Sequence, residues 1–266
     1  MMKRLFKWLF LANLALSGSA AAADMLSADT SANDKTTAEP AQTTDSTTGQ
    51  TISIDTSFDV NSRYNIGGYG GVTYAPGGVD KSGVRVKIDG ANGGFNYNDQ
   101  GNIQDGQPPL VDIHGHYVNV STFIGYTYIN ETLYASLLIG PNYQHVSVSK
   151  YDPSNSTIGA RWGVITSLSA DYKPMKSVSL AVAGFYSTAN SSWWSRFRPG
   201  YEIAHDVYLG PEAGFAGNSF WRQWTLGGHL RGIKVGAIEL GVGTGFLRDS
   251  KLSNGWYGTL EASYKF

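Results

Sequence analysis

The chain of 266 residues contains no cysteine. A disulfide framework, a thiolate metal site and a reactive thiol are therefore excluded. Charge is scarce as well: Asp, Glu, Lys and Arg make up 15% of the residues, against about 25% in ordinary soluble domains. Neither sign dominates. The formal net charge is −1, so no basic surplus exists to recruit nucleic acid, which is not expected as a partner. After the first 23 residues no apolar run approaches the roughly 18 residues of a membrane-spanning helix. That excludes a helical membrane protein. Helical periodicity is convincing nowhere, and no GxSxG nucleophile motif occurs.

What the chain does have is alternation. In its last eleven residues, WYGTLEASYKF, Gly258, Leu260, Ala262, Tyr264 and Phe266 form an apolar row. Thr259, Glu261, Ser263 and Lys265 form the opposite, polar row. Neighbouring side chains of a strand point to opposite faces, so this segment has one oily face and one wet one. A final strand of this kind, ending on an aromatic residue, is typical of bacterial outer-membrane β-barrels. Tyr264 and Phe266 are expected to serve barrel assembly. The alternative is an edge strand of a soluble sheet.

The beginning of the chain supplies a route out of the cytoplasm. Lys3, Arg4 and Lys7 precede an apolar stretch from about Trp8 to Leu16, then small residues and Ala21-Ala22-Ala23 before Asp24. This is the layout of a secretory signal peptide over residues 1–23, too short in its apolar part to span a membrane. Its removal shifts the formal charge from −1 to −4, because it takes three positive charges with it. Residues 24–50 are rich in Ser, Thr, Ala, Asp and Gln, cannot bury a core, and are expected to form a disordered periplasmic linker.

From residue 51 to 266 the chain reads as a succession of strands. Val84, Val86 and Ile88 oppose Arg85, Lys87 and Asp89; Val120, Thr122, Ile124, Tyr126 and Tyr128 share one row; Trp162, Val164, Thr166 and Leu168 oppose Arg161, Gly163, Ser167 and Ser169. Turn signals fall at PGG 76–78, KPMK 173–176, GIKVG 232–236 and RDSKLSNG 248–255, and the longest connection at about 98–112. The expected strands are 51–60, 63–75, 83–97, 112–129, 132–148, 157–172, 177–188, 192–203, 206–215, 220–231, 236–247 and 256–266. The fold expected is an all-β, antiparallel, up-and-down transmembrane barrel of twelve strands, in the bacterial outer membrane. Ten strands result if TISIDTSFDV is linker and one other segment is merged with its neighbour. A soluble β-sandwich fits less well, because the polar rows carry Gly, Ser and Tyr rather than the Lys and Glu of a solvated surface. With the carboxyl terminus periplasmic, RDSKLSNG is an outer loop and GIKVG a periplasmic turn.

Aromatic residues cluster near the strand ends: Tyr74, Trp162, Tyr172, Trp193, Trp194, Tyr201, Trp221, Trp224, Trp256 and Tyr257. They are expected to form girdles at the two membrane–water boundaries.

Residues 209–266 carry a further set of markers: GPE at 210–212, W-R-x-W from Trp221 to Trp224, GxH at 227–229, Ile238-Glu239-Leu240, FLRDS at 246–250 and YGTL at 257–260. GGVTYAPGG at 70–78 stands at the other end of the same region. In order and spacing these resemble the cellulose biosynthesis protein BcsS, an outer-membrane barrel family of alphaproteobacterial cellulose operons. The resemblance covers most of 60–266. It implies a non-enzymatic role in cellulose production or export. The partners implied are outer-membrane lipid, the barrel-assembly machinery, and cellulose or other components of its synthesis.

By parity the lumen-facing polar residues are Arg85, Lys87, Asp89, Arg161, Asp171, Arg196, Arg198, Glu212, His229, Arg231, Glu239 and Glu261. They would either line a polar, sugar-contacting pore or fill the interior as paired charges. A generic small porin or surface-interaction barrel is the alternative function. A lipid-modifying enzyme would rest on His145-Val146-Ser147, where a base and a hydroxyl share a strand face, but no acidic orienter is identifiable. His114-Gly115-His116 lacks a third metal ligand, and the Gly-rich stretch 67–71 lacks a following helix to cradle phosphate. Neither a metal nor a cofactor is expected.

Overall fold

The computed structural model describes residues 49–62, 65–99, 111–150, 152–251 and 253–266. Twelve strands run β1 (Ile52–Asn61), β2 (Ile66–Tyr74), β3 (Gly83–Asp99), β4 (Val111–Ile129), β5 (Leu133–Val148) and β6 (Gly159–Met175), then β7 (Val178–Ser187), β8 (Ser192–Ala204), β9 (Val207–Gly217), β10 (Arg222–Val235), β11 (Ile238–Asp249) and β12 (Ser253–Lys265). Each pairs antiparallel with the next, and β1 pairs with β12, so the sheet closes into a barrel. Closure leaves no edge with unpaired backbone groups. The only helical piece among the described residues is a 3-10 turn, Ala189–Ser191.

The segment TISIDTSFDV is therefore a barrel strand, and the count is twelve. Its register against the last strand places Phe58 opposite Leu260 and Thr56 opposite Ala262. Three backbone bonds finish the seam. Thr51 and Ile52 both donate to the Phe266 carbonyl at 3.0 Å, and Phe266 donates back to Ile52 at 2.9 Å. The start of the described barrel at Thr51 and Ile52 and the residue Phe266 thus lie at one end of the barrel, called here the terminal end. The signal peptide and nearly all of the linker, residues 1–48, lie outside the described residues, as do 100–110 of the longest connection.

Alternation is expressed inside out. Outward rows carry the large apolar side chains, with Val86, Ile88, Ile124, Leu137, Leu168 and Leu260 all exposed at mid-strand. Inward rows carry Ser57, Asp59, Lys87, Ser121, Ser167, Arg198 and Glu212, all buried. An apolar band of this extent is rare on a water-soluble monomer.

Two expected turns are strand instead. KPMK and GIKVG lie in large part within β6 and β10, because β-bulges at Tyr172/Met175 and Arg231/Ile233 let the ladder continue past them. Gly232 makes the second bulge possible. Its φ is +83°, and a Cβ there would sit 1.9 Å from the Asp206 carbonyl oxygen. The RDSKLSNG loop likewise shrinks, with β11 reaching Asp249 and β12 starting at Ser253. Terminal-end turns are tight. Asn130 closes one by accepting from the backbone N–H groups of Thr132 at 2.9 Å and Leu133 at 2.7 Å.

Candidate functional site

The interior has two storeys. Around mid-height and toward the terminal end it is packed with charge. Arg198 on β8 donates Nε to Glu212 of β9 at 2.6 Å, and both terminal nitrogens to Glu261 of β12, at 2.9 and 2.8 Å. Arg196 joins Glu261 at 2.5 Å. Glu212 also accepts from the Tyr257 hydroxyl. Strands β8 and β12 stand four places apart around the ring, so these pairs cross the lumen. A second crossing runs from Arg231 on β10 to Asp171 on β6 at 3.0 Å, with Ser179 hydrogen-bonded to both. His229 lies beside this layer, its Nδ1 3.1 Å from the Pro211 carbonyl.

These groups are dry. Arg198, Glu212 and His229 are each 2% exposed. A water-filled pore would leave such side chains wet. Charges this deeply buried persist only when paired and hydrogen-bonded, which the bidentate Arg forks provide. Lys87 and Asp89 add a pair at 3.8 Å, steadied by the Tyr69 hydroxyl at 3.3 Å from Asp89. Arg85 works at the terminal mouth, where Nη2 ties down the carbonyls of Val79 at 3.2 Å and Lys81 at 2.5 Å.

Above the charged layer, toward the far end, lies a vestibule of about 170 Å³. Its floor is apolar: Phe123, Leu138 and Ile165 form one buried cluster, and Ala181, Ala183, Trp194 and Ala216 another. One wall is a ladder of amides and hydroxyls across β4, β5, β7 and β8. Asn142 donates to Asn119 and to Ser121 (3.0 Å), and accepts from Gln144 at 2.9 Å and Ser187 at 2.7 Å. Gln144 donates to Ser192 at 2.7 Å and accepts from Asn190 at 3.0 Å.

Between β5 and β6, residues 152–158 are pinned at the mouth to Tyr97 of β3. The Tyr97 hydroxyl donates to Asp152 at 2.7 Å, Asn155 donates to Tyr97 at 3.3 Å, and the Tyr97 ring meets Phe220 edge-on at 5.3 Å. Burial works to raise the Asp152 pKa. Hydrogen bonds from Ser154, Tyr97 and the backbone N–H groups of Ser154 and Asn155 outweigh it and hold the carboxyl below the usual carboxylate range.

Of the polar candidates, Arg85, Lys87, Asp89, Asp171, Arg196, Arg198, Glu212, His229 and Arg231 are buried inside the barrel. Glu261 and Glu239 are half-buried, the latter near the terminal end of β11. Arg161 is exposed. It has inward parity, but it stands at the far rim and donates to the Ser156 carbonyl at 3.0 Å.

Among the aromatic residues, Tyr74, Trp162, Tyr172, Tyr201, Trp224 and Trp256 are exposed on the outside. Trp194 and Tyr257 belong to the interior instead. They share parity with Arg196 and Glu261, so alternation outweighs their nearness to turns; each is 8% exposed. Trp193 and Trp221 are half-buried and both border the vestibule; Trp193 pairs across the strands with the exposed Tyr186. Tyr264 and Phe266 pack their rings 4.9 Å apart at the seam.

The amide ladder and the Tyr97–Asp152 latch were not singled out by sequence. Parity alone could have flagged Asn142 and Gln144, which alternate with Tyr143 and His145. His145 and Ser147 flank the buried Val146 and so face outward. His114 lies in β4 and contacts Asn96 Oδ1 at 2.5 Å. At the β8–β9 turn Glu202, His205 and Asp206 bring their ligand atoms within 4.8 Å of one another. Lys234 already engages Asp206 there at 2.9 Å.

The fold is similar to that of the KdgM porin (12% identity, TM-score 0.42, covering 80% of this chain and 99% of the porin). It is also similar to a TodX monoaromatic hydrocarbon channel variant (6% identity, TM-score 0.48, 81% and 90%) and to the translocator domain of the autotransporter NalP from Neisseria meningitidis (12% identity, TM-score 0.43, 82% and 89%). No curated protein matches the sequence. Residues 58–266 match the family described as cellulose biosynthesis protein BcsS, and the chain belongs to that family.

Proposed function

We propose that this protein is an outer-membrane barrel that serves cellulose biosynthesis as a closed, non-catalytic accessory. Family membership supports the cellulose context. The continuous exposed apolar band supports a lipid setting, and the position of Thr51, Ile52 and Phe266 at one end favours a periplasmic terminal end with the vestibule facing outward. The observation that carries the closed reading is the cross-lumen layer of Arg196, Arg198, Glu212 and Glu261, at most 15% exposed. Lipid hydrolysis through His145 and Ser147 gains no support, since their shared face is outward and no acidic side chain among the described residues is seen to orient the histidine. The partners in this reading are outer-membrane lipid, the barrel-assembly machinery and components of cellulose synthesis or the polymer itself.

The test is deletion of the gene from a cellulose-producing strain, with complementation. Altered cellulose yield or fibre form, restored by the wild-type gene, is the expected result. Unchanged cellulose in both respects would overturn the reading.

A further inference from the structure

The vestibule carries more chemistry than a closed structural barrel needs. Thirty of the described residues line it. Ten of them are aromatic and eight bear side-chain amides, whereas three are charged. At about 170 Å³ it offers roughly a dozen times the room that one water requires. We propose that it is a binding site for a short segment of neutral, β-linked glucan, an inference that rests on the cellulose reading for the linkage and on the lining for the rest.

The lining discriminates between ligand classes. A hydrocarbon would leave the buried Asn190 Oδ1 without a partner, which is costly. A polyanion would need several free cations. Among the described residues Lys251 is the only cation in the lining, and its Nζ already lies 4.1 Å from the centre of the Phe220 ring. Asp89 is held by Lys87 and Tyr69, so a polycation finds little more. A neutral sugar ring offers what remains: a C–H face for aromatic rings and a rim of hydroxyls that donate to and accept from amides.

A second observation concerns the amide ladder itself. It ends on Asn190, whose Nδ2 is bound to Gln144 but whose Oδ1 has no partner among the described residues, although the side chain is buried. Asn190 and Ser191 both hold left-handed φ values, +55° and +51°. Strained non-glycine backbone with an unsatisfied polar atom is concentrated at binding sites. Trp193 and Trp221 stand half-buried at the same mouth and supply ring surface.

The experiment titrates the full barrel, in detergent micelles, with cellohexaose while following tryptophan fluorescence and calorimetric heat. Saturable binding is expected, weakened about tenfold or more by Trp221→Ala and also reduced by Gln223→Ala at the rim. Trp256→Phe, on the outer surface, should leave the affinity unchanged. Heat-dependent gel mobility checks that each variant is folded, and Gln223→Ala keeps the test open if Trp221→Ala is not. Oligogalacturonate should not compete, and maltohexaose should bind more weakly. No saturable response to about 10 mM cellohexaose, equal loss with Trp256→Phe, or equal or tighter binding of either competitor overturns the proposal. Absent binding with a cellulose defect on deletion rejects this site and leaves the accessory reading standing. Binding without such a defect does the reverse.

Discussion

Arg198 is the side chain on which the charged layer most depends. It makes three charge-assisted hydrogen bonds, at 2.6, 2.8 and 2.9 Å, to two carboxylates on different strands. Arg198→Ala removes three charge-assisted hydrogen bonds from Glu212 and Glu261, while Glu212 keeps the Tyr257 hydroxyl and Glu261 keeps Arg196. Breaking a buried pair by removing one partner costs about 3–5 kcal/mol. The retained partners place the loss near the lower end, about 3 kcal/mol, or roughly two orders of magnitude in the folding equilibrium. Arg198→Lys keeps the charge but loses the planar fork, for an expected cost of about 1.5–3 kcal/mol. Equilibrium urea unfolding in lipid vesicles measures this. At a slope of about 2–3 kcal/mol per molar, the Arg198→Ala midpoint should fall by about 1 M or more. Replacing Arg198 and Glu212 together by Leu should recover part of the loss, since an apolar pair carries no desolvation penalty. An Arg198→Ala variant within about 0.5 kcal/mol of wild type, as for an ordinary surface change, would refute the reasoning.

Other predictions follow from the surface, the seam and the mouth. Leu168→Arg, in the middle of the apolar band, should cost about 2–4 kcal/mol in the same unfolding assay, whereas Trp162→Arg near the rim should cost about 0–1 kcal/mol. Deleting Phe266 removes three seam hydrogen bonds and should slow barrel formation, seen as accumulation of the unfolded band in pulse-chase gels. Asp152 is depressed in the folded state, so its latch on Tyr97 stabilises the mouth above the ordinary carboxylate pKa of 3.8 and weakens as pH falls through the lower folded value. Hydrogen exchange across residues 152–158 should therefore accelerate below about pH 3.8, and Asp152→Asn should remove that step.

Much of the fold was legible because one face of every strand must be oily and the other polar. Alternation located the twelve strands and named most of the buried charges. It could not locate the bulges at Tyr172/Met175 and Arg231/Ile233, where the backbone slips a register and the strand runs on through residues that otherwise signal a turn. Parity also carried information that nearness to turns obscured: Trp194 and Tyr257 are even with Arg196 and Glu261 along their strands and point inward with them. Height along the barrel is a different matter. Whether an inward residue sits in the charged layer or in the vestibule depends on stagger between strands, and Arg161 shows that inward parity at a rim means exposure. The latch was invisible for another reason. Asp152 meets Tyr97 across 55 residues of sequence, through a loop whose path no local pattern dictates.

Ion conductance of the purified wild-type barrel in a planar lipid bilayer tests most directly whether the charged layer seals the lumen. A sealed barrel should insert without a steady current, and Arg198→Ala should introduce one or destabilise the barrel. A stable, stepwise, porin-like conductance from the wild-type protein would contradict the closed interior on which the account rests.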